Sequence, residues 1–214
     1  MKLILRGLLA ISLVAIMVSA AHAQPPSLLF YDTVPVEDIA LSKDGQYVAV
    51  ATPSQVRFHS RSSGTPLWTW SSGAFYSVAV SEHGDYVAAG GYVGNLDYYV
   101  FYWKNARALT GTPDPDWTSY DLYGPIEERC LDMSDDGNYV VAGGTGVNIF
   151  YWADARSKEG IDVAPTWTAL LEGLVEAVDL SDDGDYVTSG FGDDVAYFKN
   201  ARTRAGWQTA DWMS

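Results

Sequence analysis

The sequence predicts an all-β chain, a β-propeller built of four-stranded antiparallel blades, and three observations predict it. The pattern apolar-x-apolar-Ser-x-x-Gly-x-Tyr-Val occurs four times, with its glycines at Gly45, Gly84, Gly137 and Gly184, spaced 39, 53 and 47 residues apart. Those intervals suit one propeller blade each, with loop insertions lengthening the middle copies. Eight Trp, fourteen Tyr and seven Phe supply the ring area that sheets packed face to face would bury. Beyond the N-terminal segment no window shows helical periodicity, and strands recur about every ten residues between Gly-rich turns.

The elements follow in chain order. Residues 1–23 read as a secretory signal: Lys2 and Arg6, an apolar run Gly7–Val18, then Ala21-His22-Ala23 before Gln24. The run is shorter than the roughly 20 residues of a membrane-spanning helix, so cleavage after Ala23 is expected to leave no span. The domain then covers 24–214. Ser27–Thr33 (SLLFYDT) reads as a leading outer strand. The four copies run about Val36–Trp70, Phe75–Tyr120, Glu127–Leu170 and Val175–Met213.

Within each copy the first strand alternates apolar residues: Ile39 and Leu41, Val78 and Val80, Leu131 and Met133, Val178 and Leu180. The Ser-x-x-Gly segment turns the chain, because glycine tolerates positive φ. The second strand opens with Tyr47, Tyr86, Tyr139 or Tyr186, each followed by Val. An aromatic third strand ends, in copies two to four, at Asn105-Ala106-Arg107, Asp154-Ala155-Arg156 and Asn200-Ala201-Arg202. The fourth strand is expected to carry Trp68, Trp117, Trp167 and, in the last copy, Trp207 and Trp212. The leading strand makes five outer strands for four blades. That surplus fits a piece of a larger seven- or eight-bladed ring, or an arc that self-associates through an unpaired outer strand.

The Ser-x-Asp-Gly-x-Tyr hairpins resemble those of bacterial and archaeal WD40-like repeats. Arg61-Ser-Ser-Gly-Thr-Pro-Leu-Trp68 is similar to the segment with which quinoprotein-type blades pack a tryptophan on the next blade. The resemblance spans nearly the whole mature chain and implies a blade, without an activity. Quinone-dependent dehydrogenases of this kind close eight blades around their cofactor and commonly use a vicinal Cys pair. A single Cys130 cannot supply one.

Lys2 and Arg6 are two of the 13 basic residues, so the mature chain carries 11 against 27 acidic ones. Such a surface repels phosphate backbones and excludes nucleic acid as a partner. One Cys also excludes an internal disulfide. His59 and His83 stand at unrelated repeat positions, which with one Cys is a poor supply of zinc ligands. Cofactors are not expected. The acidic pairs Asp135-Asp136 and Asp182-Asp183 invite a calcium reading, but adjacent acids do not interleave as calcium loops do. Cys130 sits where the other copies have small residues and reads as a packed thiol. Arg107, Arg156 and Arg202 either tie neighbouring acids or form a guanidinium ring for a carboxylate-bearing partner. The insertions 106–116 and 155–165 are expected to project beside the Asp-Gly turns, making Asp114, Asp116, Asp135 and Asp182 candidate contacts. The expected function is a non-enzymatic periplasmic or extracellular propeller that binds a protein or glycan. The alternatives are a quinoprotein-like or lyase-like enzyme and a structural part of an envelope or surface assembly.

Overall fold

A computed structural model describes residues 34–94, 97–120, 122, 126, 130–144 and 147–214. The expected signal 1–23 and leading strand 27–33 lie outside the described residues. The chain forms four largely antiparallel sheets arranged as a four-bladed propeller. Three three-residue 3-10 turns, at Ala106–Ala108, Ala155–Ser157 and Ala201–Thr203, are the helical segments among the described residues. None of them is long and apolar enough to cross a membrane.

The first blade is β1 (Asp38–Leu41), β2 (Tyr47–Ala51), β3 (Val56–Ser60) and β4 (Trp68–Trp70), paired in that order. The second is β5 (Ala74–Val80), β6 (Tyr86–Val93), β7 (Asp97–Lys104) and β8 (Trp117–Ser119). The third uses β9 (Leu131–Met133), β10 (Val140–Gly143) and β11 (Asn148–Trp152), followed after β12 (Gly160–Val163) by β13 (Trp167–Leu170). The fourth is β14 (Val175–Leu180), β15 (Tyr186–Phe191) and β16 (Asp194–Lys199), followed after β17 (Gly206–Gln208) by β18 (Trp212–Met213).

The repeat motif accounts for the first hairpin atom by atom. The serine hydroxyl donates to the aspartate two residues on, Ser42 to Asp44 at 2.7 Å and Ser134 to Asp136 at 2.8 Å. The same hydroxyl accepts from the Tyr47 or Tyr139 amide. The turn glycine donates back to the serine carbonyl and takes φ between 67° and 77° in all four copies. A side chain at such φ is strained, which explains the glycine.

Blades join through one recurring interface. The motif tyrosine of one blade lies on the turn glycine of the next: a Cβ at Gly84, Gly137 or Gly184 would come within 2.3–2.5 Å of the ring of Tyr47, Tyr86 or Tyr139. Behind each tyrosine stands a ladder of stacked rings: Tyr47–Phe58–Trp68, Tyr86–Tyr102–Trp117 and Tyr139–Tyr151–Trp167. The Tyr102 and Tyr151 hydroxyls donate to the Gly137 and Gly184 carbonyls at 2.6 Å. Trp68, Trp117 and Trp167 donate from Nε1 to the carbonyls of Ala106, Ala155 and Ala201 at 2.9 Å. This last contact explains the Asn/Asp-Ala-Arg repeat, since the first residue takes a left-handed conformation and presents the buried alanine to the preceding blade.

The insertions do not project as free loops, contrary to expectation. Each folds back on the preceding blade, where β12 pairs in parallel with β8 and Gly111 bridges Trp68, and in the last copy β17 pairs in the same way with β13. Trp207, expected in the fourth strand of the last copy, therefore lies in β17 on the outer edge of the third blade, and Trp212 fills the ladder position. Both insertions begin where a carbonyl must reach the tryptophan of the blade before. That tether lays them back along the outer edge of the preceding sheet.

Candidate axial site

The innermost strands of all four blades converge on a cavity of about 360 Å³ at the axis. Its walls repeat. The residue before each motif serine gives an apolar ring of Leu41, Val80, Met133 and Leu180, and the residue after it gives a charged ring of Lys43, Glu82, Asp135 and Asp182. Asp132 and Asp179, which share one repeat position, complete the lining. The mouth thus gathers five carboxylates around one ammonium group. Low-dielectric walls lined by one sign of charge focus the field on an incoming counter-charge.

Lys43 spans the mouth, with Nζ 2.6 Å from Asp135 and 2.7 Å from Asp182. Hydrogen bonds to Asp135 and Asp182 push the Lys43 ammonium well above the usual lysine range. Neighbouring tips are joined by backbone bonds instead, from Asp44 N to Glu82 O, Glu82 N to Asp135 O and Asp135 N to Asp182 O. Among the described residues none links the fourth tip to the first. Burial raises the Asp132 carboxyl to about 6, opposed by hydrogen bonds that its oxygens accept from the Met133 and Leu180 amides, both at 2.7 Å.

The structure brings Asp135 and Asp182 together at the axis and leaves the other sequence candidates elsewhere. Asp116 accepts from the Lys104 amide at 2.7 Å on the outer part of the second blade, and the exposed Asp114 lies two residues away on the same segment. The arginines do not pool. Arg107 pairs with Asp85 at 2.6 Å, Arg202 with Asp185 at 3.3 Å, and Arg156 with Asp136 at 3.5 Å. Arg156 and Arg202 also lie over the Tyr86 and Tyr139 rings of the preceding blade, which makes them part of the blade junctions. Hydrogen bonds from Ser42 and Ser181, then from the Gln46 and Asp185 amides, hold Asp44 and Asp183 below the ordinary carboxylate range. These acids serve the turns. Cys130 is buried at the third junction, its thiol 3.4 Å from the Val175 carbonyl.

Sequence reasoning passed over Lys43, Glu82, Asp132 and Asp179. The signal lay in the repeat alignment: the position after the motif serine is charged in every copy and changes sign only in the first. Among the described residues no group of three or more His, Cys, Asp or Glu side chains is placed to hold a metal ion. The chain matches no family model and no curated protein.

Proposed function

We propose that this chain is an exported, non-enzymatic propeller whose acidic axial mouth binds basic side chains of a protein partner outside the cytoplasm. The observation that carries the reading is Lys43 itself: the mouth already holds an ammonium group between two carboxylates. An incoming lysine or arginine would displace it and meet the same acids. Export rests on the signal pattern of residues 1–23 and a predicted N-terminus at Gln24. A quinoprotein-like or lyase-like site would be favoured by a convergent His, Arg and Tyr set or by an acidic set in the central channel; the charged lining is Lys43 with five carboxylates, so the acidic form of that alternative stays open.

Calorimetric titration of the chain with a lysine-rich peptide at low ionic strength tests the reading. Binding should weaken steeply with salt and be largely lost in Asp135→Asn/Asp182→Asn. It should tighten severalfold in Lys43→Met, which removes the internal competitor. A peptide that binds the double variant as well as it binds the parent chain would refute the site.

A further inference from the structure

We propose that the two end faces of the propeller dock on a second copy of the chain, the fourth blade of one molecule seating on the first blade of the other. This inference goes beyond the cation-binding reading and does not depend on it. Each internal junction has two halves. One is a tyrosine-led ring ladder; the other is a turn glycine with an apolar first strand beneath it. Among the described residues one copy of each is spare.

The spare ladder is Tyr186–Tyr197–Trp212 on the fourth blade, stacked like the other three with interplanar angles of 17° and 18°. Tyr186 is 44 % exposed and Trp212 half exposed. The spare acceptor is on the first blade. A Cβ built on Gly45 would meet nothing within 4 Å, whereas at the other three turn glycines it would strike a tyrosine ring. Ile39 is 62 % exposed, while its counterparts Val78, Leu131 and Val178 are 4, 5 and 8 % exposed. The Gly143 position shows which way these residues face, because its Cβ would abut Val178 of the next blade. Ile39 therefore points outward from the first blade on the side where a preceding blade would sit.

Three observations select a second copy as the occupant. The two halves are complementary by construction, since the same repeat joins them three times within the chain. Their charges match, because the first tip is Lys43 and the fourth is Asp182. Within one chain the halves do not meet: across this seam the Lys43 side chain takes the place of the backbone bond that joins the other tips. Such exposed ion pairs are weak and screened by salt, so they offer little resistance to opening the arc. Two copies about a two-fold axis would then cover both faces of both molecules. The first blade lacks the Asn/Asp-Ala-Arg turn, so the docked face relies on Tyr186, Gly45 and Ile39 more than on Trp212.

Sedimentation velocity of the full chain over a concentration series tests the proposal. The expected result is reversible self-association. Ile39→Asp, which spoils only the acceptor, and Tyr186→Asp, which spoils only the ladder, should each weaken association at least tenfold while circular dichroism stays unchanged. Mixed together, these two variants retain one intact junction and should form a one-to-one complex. If the charged variants do not fold, Ile39→Asn and Tyr186→Asn replace them. A parent chain that stays monomeric to its solubility limit overturns the proposal. So do variants that associate as well as the parent, and a mixture that forms no complex.

Discussion

Among the described residues, three of the four places where blades could meet are closed and the fourth is not. The closed junctions and the open seam carry nearly the same residues, so the difference between them separates what the repeat does for a blade from what it does for a neighbour. The Ser-Asp-Gly-Tyr hairpin forms in the first blade as in the others, with Gly45 at φ 67° and Ser42 bonded to Asp44. It needs no neighbour. The ring ladder also stacks in the fourth blade without a cover. The missing neighbour removes three things: burial of the tyrosine on a glycine, the tyrosine hydroxyl bond, and the tryptophan bond to an alanine carbonyl.

The largest expected contrast lies at the tryptophans. Trp167 is fully buried and donates to Ala201 O, so Trp167→Ala loses packing on both blades and orphans a carbonyl. A loss of about 3–5 kcal/mol is expected in urea denaturation. Trp212→Ala, at the same ladder position on the open face, should cost about 1 kcal/mol or less. Equal losses would mean that the bond to a neighbouring carbonyl is not what sets Trp167 apart from Trp212.

A smaller contrast isolates the turn glycine. Gly45→Ala and Gly137→Ala share the positive-φ strain, about 1–2 kcal/mol. At Gly137 the new methyl also falls 2.3 Å from the Tyr86 ring, which must move and unstack from Tyr102. Gly137→Ala should therefore lose about 2 kcal/mol more than Gly45→Ala, an overpacking cost read from the same denaturation midpoints.

Much of this architecture was legible in the sequence because a repeat writes each structural requirement four times. The turn glycines, the leading tyrosines and the alternating first strands could be placed without coordinates. The Asn/Asp-Ala-Arg triplet was visible as a repeat, but its meaning was not. The alanine matters through its backbone carbonyl, which carries no side-chain signature, and so the insertions looked like free loops. Trp207 misled for a related reason: two tryptophans five residues apart both suit an outer strand, and only the pairing of β17 with β13 separates them. The axial site stayed hidden because its members are far apart in sequence and ordinary in kind. Lys43 acquires meaning only when the ring brings Asp135 and Asp182 to it.

The last contrast is electrostatic and sets Asp132 against Asp179, the same repeat position on the third and fourth blades. The fourth blade covers Asp132, whereas Asp179 faces the seam and is exposed. Burial raises the Asp132 carboxyl from an ordinary 3.8 to about 6. Between those values the folded chain holds a proton that the unfolded chain has released. The sign follows from linkage: stability on this account is greatest below about pH 4, falls as pH rises through 6, and is then constant. The full effect is at most about 3 kcal/mol, since one pKa unit corresponds to about 1.4 kcal/mol. Asp132→Asn removes the titration but also leaves one of the Met133 and Leu180 amides without its acceptor. That lost bond is a constant offset which does not vary with pH. The measurement is therefore the difference between parent and variant denaturation free energies from pH 4 to pH 7. The parent should lose about 1–3 kcal/mol relative to Asp132→Asn across that range. Parallel profiles would show that water reaches Asp132, and hence that the third junction is as open as the seam.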